Sequence, residues 1–204
     1  MKEVKNNGLI VFVKNAIEGQ VKTRLAKTIG QGQALSVYLY MQKYLANLLS
    51  GVLSFEIYIF YSDFLTDQPD AWSGPNFKKR IQKGNDLGER MNNALDQILP
   101  LHQNVLLVGS DIAGLNLTIL EEGFQRLNHF DTVLGPAQDG GYYLIGMKHS
   151  HPYIFQKMTW SHKQVMAQTI EKITELGLNY SLLPVLSDVD TYEDWVNHRH
   201  LFDS

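Results

Sequence analysis

An α/β fold built on a mostly parallel sheet is predicted by three features of the sequence. The runs 8–13 and 104–109 are continuously apolar and β-branched, without the alternation of a half-solvated strand, so they read as strands buried on both faces. Segments whose apolar residues recur at helical spacing stand between such runs. Strand and helix patterns alternate along the chain, as crossover-connected parallel strands require. The 204 residues contain no Pro/Ser-rich linker, charge block or internal repeat, which predicts one domain over 1–204.

The elements follow in order. Residues 8–13 form the first strand, and the polar segment 14–24 a loop. Ala34, Tyr38, Met41, Leu45, Leu48 and Val52 share one helical face and predict a long amphipathic helix over about 31–52. Residues 55–61 read as the second strand, and 63–77, with Pro69, Gly74 and Pro75, as a loop. A short strand at 80–82 precedes a helix over 86–99 that Pro100 closes. After the strand 104–109, Thr118 and Glu121 have capping-box spacing and open a helix to Leu127. Strands at 131–135 and 142–146 flank the loop 136–141. Ser161 and Gln164 form a second capping-box candidate, for a helix that reaches Leu176 and stops at Gly177. Residues 180–186 read as the last strand, and Thr191 as the cap of a final helix toward Phe202.

Composition removes several function classes. There is no cysteine, hence no disulfide framework, thiol nucleophile or cysteine-ligated metal. A net charge of −3 without a Lys/Arg cluster argues against a nucleic-acid partner. Residues 1–8 are polar and the apolar run 9–13 is too short for a signal peptide or a membrane span, so a cytoplasmic globular protein is expected.

In open α/β sheets ligands bind beyond the carboxyl ends of the strands, which directs attention to the loops beginning at Lys14, Asp111, Pro136 and Ser187. Lys14 with Lys22, Thr23 and Arg24 places three cations in one loop, enough to surround a polyphosphate, with Arg24 able to fork onto two oxygens. No Gly-Lys-Ser/Thr occurs, so this is not a P-loop, and a solvated basic loop is the plain alternative. Asp111, just past a central buried strand, suits a Mg²⁺ or Mn²⁺ ligand; it also suits a turn cap beside Ser110. Asp188 and Asp190, aimed the same way by strand alternation, offer a further metal carboxylate, Asp190 slightly preferred, the other serving as a helix cap. Asp139 ahead of Gly140, Gly141 and Tyr142 suggests a loop that admits a ligand close to the backbone, against a plain Asp-Gly hairpin turn. Gly84, Asp86, Gly88 and Arg90 open a helix where ribose, base or phosphate could approach, against an ordinary capped helix entry. Trp160 could stack on a base or acceptor, though aromatics are more often core. His198 and His200 read as solvated, and no Gly-x-Ser-x-Gly hydrolase elbow is present.

Taken in order, Phe12-Val-Lys14, Gly19-Gln-Val-Lys-Thr-Arg-Leu25, Asp86-Leu-Gly-Glu-Arg-Met91, Gly109-Ser-Asp111, the run from Gly135 through Asp139-Gly-Gly-Tyr-Tyr to Gly146, Trp160-Ser161 and Asp188-Val-Asp-Thr191 resemble the DUF2064 family. The resemblance spans residues 9–195 and implies a single-domain, Rossmann-like GT-A fold of the nucleotide-diphospho-sugar transferase kind. By position it implies that Lys22 and Arg24 hold phosphates, Asp111 is the metal aspartate, Asp190 completes the metal site and 139–142 line a sugar or acceptor pocket. The basic loop is also similar to 2-phospho-L-lactate guanylyltransferase. Residues 15–20 lack the prolines and the further arginine usual in the family, which predicts a more flexible loop with a weaker hold on phosphate. Ala113 replaces a usual proline and predicts a less rigid backbone beyond Asp111.

The expected activity is a Mg²⁺- or Mn²⁺-dependent transferase that moves a sugar from a nucleotide sugar to a small-molecule acceptor, with Asp111 and Asp139 as catalytic groups. The alternatives are a nucleotidyltransferase, taking a nucleoside triphosphate and a phosphorylated acceptor, and a nucleotide-binding module without catalysis.

Overall fold

The computed structural model describes residues 6–202, so 1–5 and 203–204 of the predicted domain lie outside the described residues. The chain opens with β1 (Asn7–Val13), then α1 (Thr23–Ile29), α2 (Gln31–Ser50), β2 (Glu56–Tyr61), β3 (Phe77–Ile81), α3 (Leu87–Ile98) and β4 (Asn104–Gly109). It continues through β5 (Ile112–Ala113), α4 (Leu117–Leu127), β6 (Thr132–Pro136), β7 (Tyr142–Met147), α5 (Val165–Glu175), β8 (Tyr180–Leu182), β9 (Ser187–Asp188) and α6 (Tyr192–His198).

The main sheet has seven strands in the order β3-β2-β1-β4-β7-β6-β8, parallel throughout except that β7 runs against both neighbours. Strand periodicity divides its side chains between two cores. Leu9, Val11 and Val13 pack with Leu45 and Leu49 of α2 and Leu120 and Phe124 of α4. Ile10 and Phe60 face the other way, onto Met91, Leu95 and Ile98 of α3 and Ile173 of α5. The result is a three-layer α/β/α arrangement.

From β1 the chain runs outward to β2 and β3, then returns to place β4 on the other side of β1. The two crossovers diverge there, leaving a crevice at the carboxyl ends of β1 and β4, the usual ligand position in such sheets. Phe12 pairs with Gly109 across that gap, so the loops starting at Lys14 and Ser110 leave the sheet side by side. A two-stranded antiparallel ribbon pairs Ile112 with Asp188 and Ala113 with Ser187. It carries the second acidic segment back to the first, and Val189 donates to the carbonyl of Asp111 at 3.1 Å.

Several boundaries differ from the sequence expectation for identifiable reasons. Helix α1 begins inside the predicted loop and fills the unassigned stretch before α2; Leu25 is its one buried residue, leaving no apolar stripe to read. Strand β3 starts at Phe77, and its Lys78, Lys79 and Arg80 mark a sheet edge, where charge guards against further pairing. Asn116, not Thr118, caps α4 by accepting from Ile119 N at 3.1 Å. Ser161 does not cap α5: it has φ 64°, and the helix starts at Val165. Strand β8 stops at Leu182, before Pro184, which has no N–H to continue a ladder.

Candidate functional site

The site is assembled at the β1/β4 crevice by four anchored segments. At the end of β1, the Tyr38 hydroxyl accepts from Lys14 N at 2.8 Å and donates to Lys14 O at 3.0 Å. Asn15, buried, donates to Phe64 O at 2.9 Å and accepts from Asp63 N at 3.0 Å. The first residue of the segment that lacks the family prolines is thus pinned to the loop after β2, which restrains that end of the segment.

The loop ends at Lys22, whose backbone adopts the left-handed conformation (φ 48°, ψ 43°) before α1 begins. For a residue with a side chain this costs about 1–2 kcal/mol. The side chain, 3% exposed, is held by two carboxylates: Nζ lies 2.6 Å from Asp111 Oδ2 and 3.3 Å from Asp190 Oδ1. Arg24 reaches the other oxygen of Asp190 at 3.4 Å from the solvent side. Burial works against the charge on Lys22, but Asp111 and Asp190 outweigh it and hold the pKa above the usual lysine value. Burial likewise pushes the Asp111 carboxyl up, and the Lys22 ammonium overcomes this and leaves it below the ordinary range.

Asp111 is positioned from behind. Trp72 Nε1 donates to Gln42 Oε1 at 2.8 Å, and Gln42 Nε2 donates to Ser110 Oγ at 2.7 Å, all three side chains buried. Ala113 beyond it is held in the ribbon ladder, which supplies the anchoring expected of proline. Neither Asp188 nor Asp190 caps α6: Thr191 and Asp194 form a reciprocal capping box instead. Both aspartates therefore face the crevice, with Val189 buried between them.

The crevice has two adjoining lobes, of about 400 and 480 Å³, within the usual size of small-molecule sites. The first carries Phe12, Gln82 and Leu87, together with Lys22, Thr23 and Arg24. The second carries Asp139, Gly141, Tyr142, Trp160 and Asp188. Lys14, Arg24, Leu87, Asp111 and Asp190 belong to both, and the four charged residues among them form the seam between the lobes.

The remaining candidates sit apart from the lobes or support them. Asp86 caps α3 by accepting from Glu89 N at 2.8 Å, and Arg90 Nε donates to Gly84 O at 3.2 Å. A Cβ on Gly84 would lie 2.7 Å from Arg90 N, and one on Gly88 would lie 2.5 Å from Trp160 Cζ2. These glycines admit protein atoms, and α3 gives the lobes Leu87 and Met91 instead. Gly140 (φ 91°) has Lys163 O where a Cβ would stand, so the Asp139 loop lies flat on the entry to α5. Asp139 itself is exposed and accepts from Gly141 N at 2.8 Å. Trp160 packs at the floor of the second lobe, its Nε1 buried without a hydrogen-bond partner.

Sequence reasoning missed Asn15, Gln42, Trp72 and Gln82. Gln82 ties β1 to β2, donating to Phe60 O at 2.8 Å and Val13 O at 3.3 Å. Gln42 carried a readable signal, because it is a polar residue on the apolar face of α2, one turn from Tyr38.

Among the described residues no group of three or more His, Asp or Glu side chains is close enough to enclose a cation. Mg²⁺, however, is commonly held by one or two carboxylates and completed by substrate phosphates and water. The donor set fits that pattern. Asp188 Oδ1 is a buried carboxylate oxygen with no partner. Burial first, then the charges of Asp111, Asp139 and Asp190, push its pKa up to about 7.

No curated protein matches the chain. Among solved structures, a protein from Desulfovibrio desulfuricans G20 described as a "putative nucleotide-diphospho-sugar transferase" is 31% identical, with a TM-score of 0.82 over 98% of this chain and 97% of that one. CMP:2-keto-3-deoxy-manno-octonic acid synthetase, solved with CTP, is 10% identical, with a TM-score of 0.61 over 97% and 98% of the two chains. Glucosyl-3-phosphoglycerate synthase from Mycobacterium tuberculosis, solved with Mn²⁺, UDP and glucosyl-3-phosphoglycerate, is 9% identical, with a TM-score of 0.57 over 95% of this chain and 75% of that one. The last two show a shared fold. The family model described as "Uncharacterized protein conserved in bacteria (DUF2064)" matches residues 47–162. With that match, and an overall similarity that runs the length of the D. desulfuricans protein, the chain belongs to the DUF2064 family.

Proposed function

We propose that this chain, acting as one domain over 1–204, is a divalent-cation-dependent transferase that moves a sugar from a nucleotide sugar to a small-molecule acceptor. The observation that carries the reading is the seam of Lys14, Arg24, Asp111 and Asp190 shared by two lobes. A diphosphate bridging nucleoside and sugar needs cations and metal-binding carboxylates at that junction, with room on either side. The first lobe, with Phe12 and Leu87 beside the basic residues, suits the nucleoside end. The second, with Asp139, Tyr142 and Trp160, suits sugar and acceptor.

A bound Mg²⁺ or Mn²⁺ would neutralise charge that builds on the diphosphate leaving group. Asp111 and Asp190 would hold it, with Asp188 the further oxygen donor. Arg24 would share the phosphate charge through its fork of donors. Asp139, exposed beside the second lobe, would orient or deprotonate the acceptor hydroxyl. The cytoplasm is the compartment expected for such substrates.

A nucleotidyltransferase is the second reading, favoured by the three cations of the first lobe, Lys14, Lys22 and Arg24. Incubation with Mn²⁺ and panels of nucleotide sugars and nucleoside triphosphates separates the two. Slow release of nucleoside diphosphate from a nucleotide sugar is the expected outcome. Pyrophosphate release from a triphosphate with phosphorylated acceptors would transfer the assignment to the second reading.

A further inference from the structure

Lys22 occupies a position that a phosphate-binding lysine has no need to occupy. Its ammonium lies between Asp111 Oδ2 and Asp190 Oδ1, at 2.6 and 3.3 Å, and its side chain is 3% exposed where theirs are 34% and 44% exposed. It is the innermost member of the cluster, and the left-handed backbone at φ 48° aims it there. A Mg²⁺-sized ion bound by the same two carboxylates would sit roughly 2.1 Å from each oxygen. An ammonium and a divalent ion cannot share that space, and their charges repel.

The geometry points to Lys22 as the resting counter-ion of the cation position: it holds Asp111 and Asp190 together when no cation is bound and yields to a divalent ion, its ammonium turning to substrate phosphates in the first lobe. This rests on the proposed function and deepens it. Lys22 lines that lobe beside Thr23 and Arg24, so the path is a rotation of its own side chain. Without the ammonium, two facing carboxylates would repel each other and open the seam. With it, cation binding is opposed until phosphate gives the displaced lysine a new partner. Cation and nucleotide must therefore strengthen each other's binding by the same factor.

The test is Mn²⁺ binding to the full chain, read by electron paramagnetic resonance without nucleotide, for wild type and Lys22→Met. The variant, checked by circular dichroism for a folded state, is expected to bind Mn²⁺ about tenfold more tightly and to gain far less from added nucleoside diphosphate. A second measurement uses the wild type alone: acylation of lysine amines, mapped by mass spectrometry. Lys22 is expected to be protected in the metal-free protein and to react several-fold faster with saturating Mn²⁺. If Mn²⁺ binds but Lys22→Met binds it no better, or Lys22 stays protected, the exchange is overturned while the transferase reading stands. If Mn²⁺ binds neither protein, even with nucleotide, both fall.

Discussion

Asp188 carries the least satisfied charge in the crevice, and its consequence at the scale of one residue can be measured. Its folded-state pKa is pushed up to about 7, by burial first and by three neighbouring aspartates next. The folded protein thus holds this proton more tightly than the unfolded chain does, and deprotonation costs stability. That penalty is complete above about pH 7 and fades as pH falls toward the ordinary carboxylate range near 4. In metal-free protein Asp188→Asn should therefore raise stability by about 2 kcal/mol at pH 8, solvent screening allowed for, and by roughly a quarter of that near pH 4.5. Urea midpoints at the two pH values check this, and an equal difference at both would contradict it. Gln42 is the opposite case, a buried side chain with both ends engaged by Trp72 and Ser110. Gln42→Leu leaves the buried Trp72 Nε1 unpaired and takes one of two side-chain partners from Ser110, and should cost about 2 kcal/mol in urea unfolding. The neighbours of Asp188 were expected from the resemblance, whereas those of Gln42 were not, since Trp72 and Ser110 meet it only through the tertiary fold.

Elements became legible where a segment buries one whole face or both. The periodicity of α2 and the apolar runs of β1 and β4 follow directly from their packing on the sheet. Helix α1 and the short β5 and β9 strands escaped because each is too brief or too exposed to leave a pattern. The ribbon matters most among these, since it joins Asp111 to the segment holding Asp188 and Asp190. Nearness of those carboxylates was expected from resemblance, whereas the ribbon that enforces it was not. Glycines show the same division between local and tertiary causes. Gly177 (φ 69°) has nothing within 4 Å of the place a Cβ would take, so Gly177→Ala should cost only the left-handed backbone penalty of about 1 kcal/mol. Gly140→Ala adds a clash with Lys163 O and should cost about 2–4 kcal/mol, with displacement of the Asp139 loop. Thermal unfolding of the pair checks the ranking, and equal losses would contradict the close approach at Gly140. Gly88→Ala is expected to push the Trp160 indole from its seat and alter its fluorescence while the fold persists.

At the scale of the molecule, the site follows from topology. The chain reverses direction of growth between β1 and β4, and every segment that carries a seam residue leaves the sheet at that edge or is brought back to it. Sequence reasoning located the loops by this rule and the seam residues by their charge. It could not foresee that Lys22 faces the carboxylates, because that depends on a backbone conformation no pattern in the chain announces. Nor could it choose between ligand approach and a plain α3 entry for Gly84, Gly88 and Arg90, since a glycine that admits a ligand and one that admits an indole look alike in sequence. Asp111 and the seam are proposed to bind a nucleotide compound through a divalent cation. Thermal stability of wild type and Asp111→Asn, with nucleotides and nucleotide sugars, with and without Mn²⁺, tests it most directly. A ligand at about 100 times its dissociation constant adds about 2.7 kcal/mol, a rise of roughly 5–10 °C at this size. Such a rise is expected for a nucleotide sugar with Mn²⁺ in the wild type and none in Asp111→Asn; an equal rise in both proteins, or none in the wild type with any compound, would overturn the metal-bridged nucleotide site.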